Sequence, residues 1–450
     1  MADPALFHGI AVIIDDEVGV GTANIGQLQK QIEAVGSHVV AMTTLPGAGA
    51  LANLASASFF VVDWNLYGQA VSTEGVAVVT LPEGLRKQHI GEMINFLKEL
   101  KKVRFAPVFV FTNENVGQIE DELKKHPDLY DENDPSHILV KRKVEVLEKG
   151  IFTVLGEWLQ GAPSAYVLKR WESEYEKAKN ALFLDFYAKS VHWPLILKNT
   201  FVKDDVSPSM ELGNLIGRNL LSRMAPFKFD LESFDEAPLK SLEDDGESYK
   251  QTVIKVLEGE RFVAKDQLDA DSIAPGDVFK SGGDFFINIR PECDCIARQG
   301  INLDDIELYL LKGSRLTPAQ VNKAYDDTYG VIQDNDNQAI VFAMRDGVTV
   351  SFRFKELVLK KWSDFKDKRI GRLLPPFLTR LLQRYSSYIQ RPGLTRVPVA
   401  ALSKVATPAG GSGSQGTVES SSGAPSIGQC LSMLWMAIKE RVRPNVGVGQ

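Results

Sequence analysis

Asp15, Asp16 and Glu17 directly follow the apolar run Ala11–Ile14, and Asp63 directly follows Phe59–Val62. Carboxylates gathered at one point raise one another's pKa unless a cation compensates them, and a hard divalent ion such as Mg²⁺ is the natural compensation for an all-oxygen set. A carboxylate can also act as a nucleophile and form an aspartyl phosphate. Such a transfer rests on positioning and on neutralisation of charge by a metal ion and a lysine. Two further residues sit at comparable places: Thr112 ends the run Pro107–Thr112, and Lys141 follows Ile138–Val140.

The elements that would position these side chains are legible as periodic patterns. Ala11–Ile14, His38–Thr43, Phe59–Val62, Pro107–Thr112 and Ile138–Val140 are rich in Val, Ile and Phe, as expected of five buried, mainly parallel strands. Ile25, Leu28, Ile32 and Val35 recur at helical spacing between the first two strands, as do Ile94, Phe96, Leu97 and Leu100 before the fourth. Strands alternating with helices predict a doubly wound α/β domain. In such a sheet, ligands bind beyond the carboxyl ends of the strands at the switch point, where residues after the first and third strands converge.

The order of a double acid, a lone Asp, a hydroxyl and a Lys, together with Asp63-Trp64-Asn65-Leu66-Tyr67-Gly68, resembles the receiver domain of two-component response regulators over about residues 10–157. The resemblance implies a flavodoxin-like five-stranded parallel sheet, with Asp63 as phosphoacceptor. It also implies Mg²⁺ held by Asp15, Asp16, Asp63 and the backbone carbonyl of Asn65, with Thr112 and Lys141 meeting the phosphoryl oxygens. Asn65 and Glu114 would flank the path of attacking water and make the phosphate short-lived. A sensor histidine kinase is the implied donor. The output would be an effector protein or self-association, as a switch or phosphate sink, with an architecture similar to receiver components of bacterial defensive (anti-phage) two-component systems. The sequence departs from the pattern at Tyr67 and Arg142, where Pro is usual. It also departs in an inserted loop, Gln69–Gln88, and at His137 and Ile138, where an aromatic residue is expected.

Beyond a receiver at 1–157, the pattern predicts a helical connector at 158–228, an acidic loop or linker at 229–270 and a small barrel-like β-rich domain at 271–355. A basic helical segment at 356–398, a flexible Gly/Ser-rich linker at 399–426 and an amphipathic tail at 427–450 follow. Arg345-Asp346-Gly347 marks a hairpin turn, and helix is expected over Glu356–Gln390. From Arg353 to Arg396 there are twelve Lys or Arg against three acids, interleaved with Tyr385 and Tyr388, which admits a DNA-binding regulator as an alternative. A receiver-like binding module that never takes phosphate is another.

The 450-residue chain is 44% hydrophobic and 24% charged, the composition of folded globular domains. Three cysteines fit a reducing, cytoplasmic setting, and no apolar run is long enough to span a bilayer. Gly19, Gly21 and Gly26 do not make a dinucleotide loop, because Asn24 stands at a required glycine position and three acids precede it. Cys293 and Cys295 lack the further ligands of a zinc site, and no dedicated catalytic motif is recognised.

Overall fold

The computed structural model describes residues 4–401 apart from 20–22, 55, 67–81, 104–105, 131–136, 225–226, 299–300, 394–396 and 399–400. Tyr67, Gly21, Arg396, most of the inserted loop 69–88 and the tail 427–450 lie outside the described residues, as does all but Ala401 of the linker 399–426. By contacts the chain divides into residues 1–390 and 391–450.

The N-terminal sheet consists of β1 (Ile10–Ile14), β2 (His38–Met42), β3 (Ala57–Val62), β4 (Val108–Thr112) and β5 (Ile138–Arg142). All pairings are parallel, in the order β2-β1-β3-β4-β5. The chain runs from β1 outward to β2 and then back across β1 to β3, so the switch point falls between β1 and β3. Strand alternation divides the apolar residues between two layers. Val12, Ile14, Phe60, Val62, Val108 and Val110 face one side and Ala11, Ile13, Phe59, Val61, Phe109 and Phe111 the other.

The first face is covered by α2 (Ala48–Leu51), α3 (Glu83–Val103) and α4 (Val116–Leu123), through Leu51, Met93, Leu97, Leu100, Ile119 and Leu123. The second is covered by α1 (Asn24–Ala34), α5 (Lys143–Lys149) and α6 (Ile151–Gln160), where Ile25, Leu28 and Ile32 repeat at helical spacing beside Val146, Leu155 and Leu159. Residues 83–88 of the expected inserted loop form the first turns of α3.

The helical connector is α7 (Pro163–Lys189), α8 (Trp193–Lys203) and α9 (Pro208–Arg223). Each starts with Pro in its first turn, where the missing N–H has no intrahelical acceptor to lose. The passage Asp230–Glu247, expected as loop, instead carries α10 (Ala237–Asp244) and the start of α11 (Gly246–Arg261). The acids there work as helix ends: the Asp245 side chain accepts from Ser248 N at 3.5 Å, and Glu247 accepts from Gln251 one turn on at 2.9 Å.

The second sheet is antiparallel throughout. It is built from β6 (Phe262–Ala264), β7 (Asp277–Ser281), β8 (Asp284–Asn288) and β9 (Glu307–Arg315), then β12 (Gln338–Arg345), β13 (Val348–Lys361) and β14 (Arg369–Leu373). Between β9 and β12 lie α12 (Pro318–Ala324) and a small pair, β10 (Tyr325–Asp326) and β11 (Val331–Ile332). Its order is β12-β13-β9-β8-β7-β14-β6, with β12 and β6 as the edges of a sheet curled into a half-barrel. Asp346 and Gly347 join β12 to β13 with φ of 49° and 67°, the two-residue hairpin that the sequence predicts.

Helix does not resume at Glu356. Strand β13 continues to Lys361, the one-turn α13 (Trp362–Phe365) and β14 follow, and a longer helix returns only as α14 (Phe377–Gln390), after Pro375-Pro376. Exposed residues alternate with more buried ones over 353–359, as on a strand, and a register shift between Phe352 and Leu357 lets the long strand bend with the sheet.

Candidate functional site

Asp15 and Asp63 leave the ends of the adjacent strands β1 and β3, and the backbone fixes both. Asp63 N donates to Ile14 O at 2.8 Å, and Asp15 N donates to Met42 O at 2.9 Å. Both carboxylates are buried and Asp16 is half-buried. Oxygens of Asp15, Asp16 and Asp63 lie within 4.8 Å of one another, the one such acid, His or Cys group among the described residues. The expectation that acids after the first and third strands converge is met.

The ammonium that meets them belongs to Lys143. Its Nζ lies 2.6 Å from Asp15 Oδ2 and 2.8 Å from Asp63 Oδ2, with the side chain fully buried. Lys141, expected in this place, is exposed, and with Arg142 it borders an open groove beside Glu114 and the start of α4. The reason is the strand's length. β5 runs to Arg142, two residues further than its apolar run suggests, so the chain turns inward at the first residue of α5. The signal that finds Lys143 is the Lys-Arg-Lys run itself, once the strand end is moved by two.

Burial pushes the Asp63 carboxyl up to about 7; Lys143 opposes this and the Asp15 charge adds to it. Burial works against the Lys143 charge as well, but the attraction of Asp63 and Asp15 outweighs it and holds the ammonium above the usual lysine range. Three carboxylates against one ammonium leave a formal deficit of two positive charges. Asp15 Oδ2 is sealed from solvent, and although Lys143 stands 2.6 Å away it lies off the line of a hydrogen bond. An all-carboxylate donor set with a buried lone pair to spare fits a hard divalent cation.

Around this centre, Asn65 N approaches Asp63 Oδ1 at 3.4 Å and Glu17 N donates to Asp15 Oδ1 at 2.9 Å. Thr112 is fully buried at the end of β4, and its Oγ1 accepts from Glu114 N at 3.0 Å. The Asn65 side chain donates to Glu114 Oε1 at 3.2 Å, which joins the loop after β3 to the loop after β4. Asn65 and Glu114, singled out as residues controlling water, are thus brought together.

Part of the basic C-terminal stretch is engaged with the chain itself. Arg380 and Arg384 pair with Asp334 at 2.6 and 3.5 Å, and Tyr385 and Tyr388 lie against Phe354 with ring centroids 5.9 and 5.5 Å away. No helix is long and apolar enough to cross a membrane among the described residues. No family model matches the chain, and no curated protein matches it either.

Proposed function

We propose that residues 1–157 are a receiver that accepts a phosphoryl group on Asp63 from a partner histidine kinase, with Mg²⁺, and that the rest of the chain turns this into a protein–protein output, as a switch or a phosphate sink. The observation that carries the reading is the convergence of Asp15, Asp16, Asp63 and the buried Lys143 at the switch point of a parallel sheet ordered β2-β1-β3-β4-β5. Two buried carboxylates meet one buried ammonium there, an imbalance that a bound cation would relieve.

In this reading an Asp63 oxygen attacks phosphorus, the P–N bond of a phosphohistidine breaks, and the imidazole nitrogen leaves with the electron pair. Lys143 follows the charge from the carboxylate to the phosphoryl oxygens, and Asp15 holds Lys143 in place. Mg²⁺, when held by Asp15, Asp16, Asp63 and the Asn65 carbonyl, neutralises the charge on the transferring group. The Thr112 hydroxyl closes on a phosphoryl oxygen and carries the change to β4 and β5. Asn65 and Glu114 border the approach of the hydrolytic water and keep the phosphate short-lived.

The test is phosphate-affinity electrophoresis of the full chain after acetyl phosphate and after candidate kinases, beside Asp63→Asn. A retarded band that needs Mg²⁺, is absent from the variant and decays on removal of the donor is the expected result. Its absence with every donor favours a phosphate-independent binding module.

A further inference from the structure

A cavity of about 560 Å³ lies far along the chain from the acids, between α11, α12, the β10–β11 pair, β12 and α14. Its walls are apolar, from Leu257, Val321, Ile332 and Leu381, with Phe342 and Phe377 at one side. Two arginines and no acid are among the residues that line it. The volume is in the range of small-molecule sites, whose specificity comes from a few polar groups in an apolar wall.

The two arginines are not equivalent. Arg380 is hydrogen-bonded to Asp334, which it shares with Arg384, with Nε at 2.9 Å and one terminal nitrogen at 2.6 Å, and that same nitrogen also donates to Ile340 O. Arg261, at the end of α11, is held between Phe377 and Phe342, its guanidinium carbon 4.6 and 5.7 Å from the ring centroids. One of its terminal nitrogens donates to Phe342 O at 2.8 Å. Its Nε is sealed from solvent without a hydrogen bond, the Glu260 carboxylate at 3.5 Å being more than half exposed and out of line, and its other terminal nitrogen donates to no protein group. As a strut between α11 and β12 this arginine uses one donor of five, and unmade hydrogen bonds of a mostly buried charge are costly.

We infer that this cavity is a binding site for a small amphipathic organic anion, whose apolar or aromatic body fills the space between α11, α12 and α14 and whose acidic group pairs with Arg261. The inference stands on the β-rich half alone and does not depend on phosphorylation at Asp63.

The experiment is fluorescence titration of the full chain with anilinonaphthalene sulfonate and with the uncharged N-phenylnaphthylamine, two probes sharing one ring body. Wild type should show a saturable site that prefers the anion by roughly tenfold or more. Arg261→Gln should bring the preference close to unity while the neutral probe still binds. Val321→Trp, which fills the cavity and leaves Arg261 in place, should remove the saturable site for both probes, with circular dichroism confirming the fold of each variant. An unchanged preference in Arg261→Gln, saturable binding that survives Val321→Trp, or no saturable site in wild type would each overturn the inference.

Discussion

Two lysines two residues apart have opposite fates. Lys143 is sealed between Asp15 and Asp63, whereas Lys141 is at the surface. Removing one partner of a buried ion pair strands the other charges, a loss of about 3–5 kcal/mol, while a surface substitution stays within about 0.5 kcal/mol. Denaturant unfolding without divalent ions should therefore find Lys143→Ala strongly destabilised and Lys141→Ala close to wild type. Only Lys143→Ala should lose phosphorylation by acetyl phosphate. Equal effects of the two would remove Lys143 from the site. The acids were legible in the sequence because each directly follows a strand whose apolar run ends where the strand ends. The lysine was not, since β5 continues through Lys141 and Arg142, whose charge hides its true end.

At the scale of elements, α7 is tied to the sheet that presents Asp63. Lys169 on α7 is buried, and its Nζ donates to the backbone oxygen and to the hydroxyl of Ser58, both at 3.0 Å, near the start of β3; Asp63 follows the other end of the same strand. Glu172 accepts from the same nitrogen at 2.7 Å. Lys169→Met keeps the aliphatic stem and leaves the Ser58 oxygens without their donor, so it should cost about 1–3 kcal/mol. Hydrogen exchange should rise in β3 and the first half of α7 and stay unchanged in β7–β9. Uniform change across both sheets, or none, would show that this contact does not couple connector and sheet. The five strands, α1, α3 and the helical run of α7 to α9 could be read from period and composition alone. The stretch 353–361 could not, because there β13 runs past the end of β12 and pairs with β9, is partly exposed and carries charges that resemble a solvated helix face.

For the whole molecule, the acid site makes stability depend on pH and on divalent ions. Folded Asp63 holds its proton up to about pH 7, against an ordinary carboxyl value of 3.8. Between these values the folded chain binds more protons than the unfolded one, so this contribution is present at low pH and is lost as pH rises through 7. Lys143, also raised in the folded state, contributes in the same sense, but its share is kept through neutral pH and lost only in alkali. Thermal unfolding without divalent ions should therefore show Asp63→Asn gaining on wild type from about pH 5 to about pH 8, by a few kcal/mol at about 1.4 kcal/mol per pKa unit. Mg²⁺ should stabilise wild type most at the upper end, and parallel profiles with and without it would argue against a cation at these acids. A covalent aspartyl phosphate at position 63 is tested most directly by borohydride trapping. The full chain is treated with acetyl phosphate, with and without Mg²⁺, then reduced and mapped by peptide mass spectrometry. The account predicts homoserine at position 63 in the Mg²⁺ sample alone; an unmodified Asp63, or homoserine at another aspartate, would contradict it.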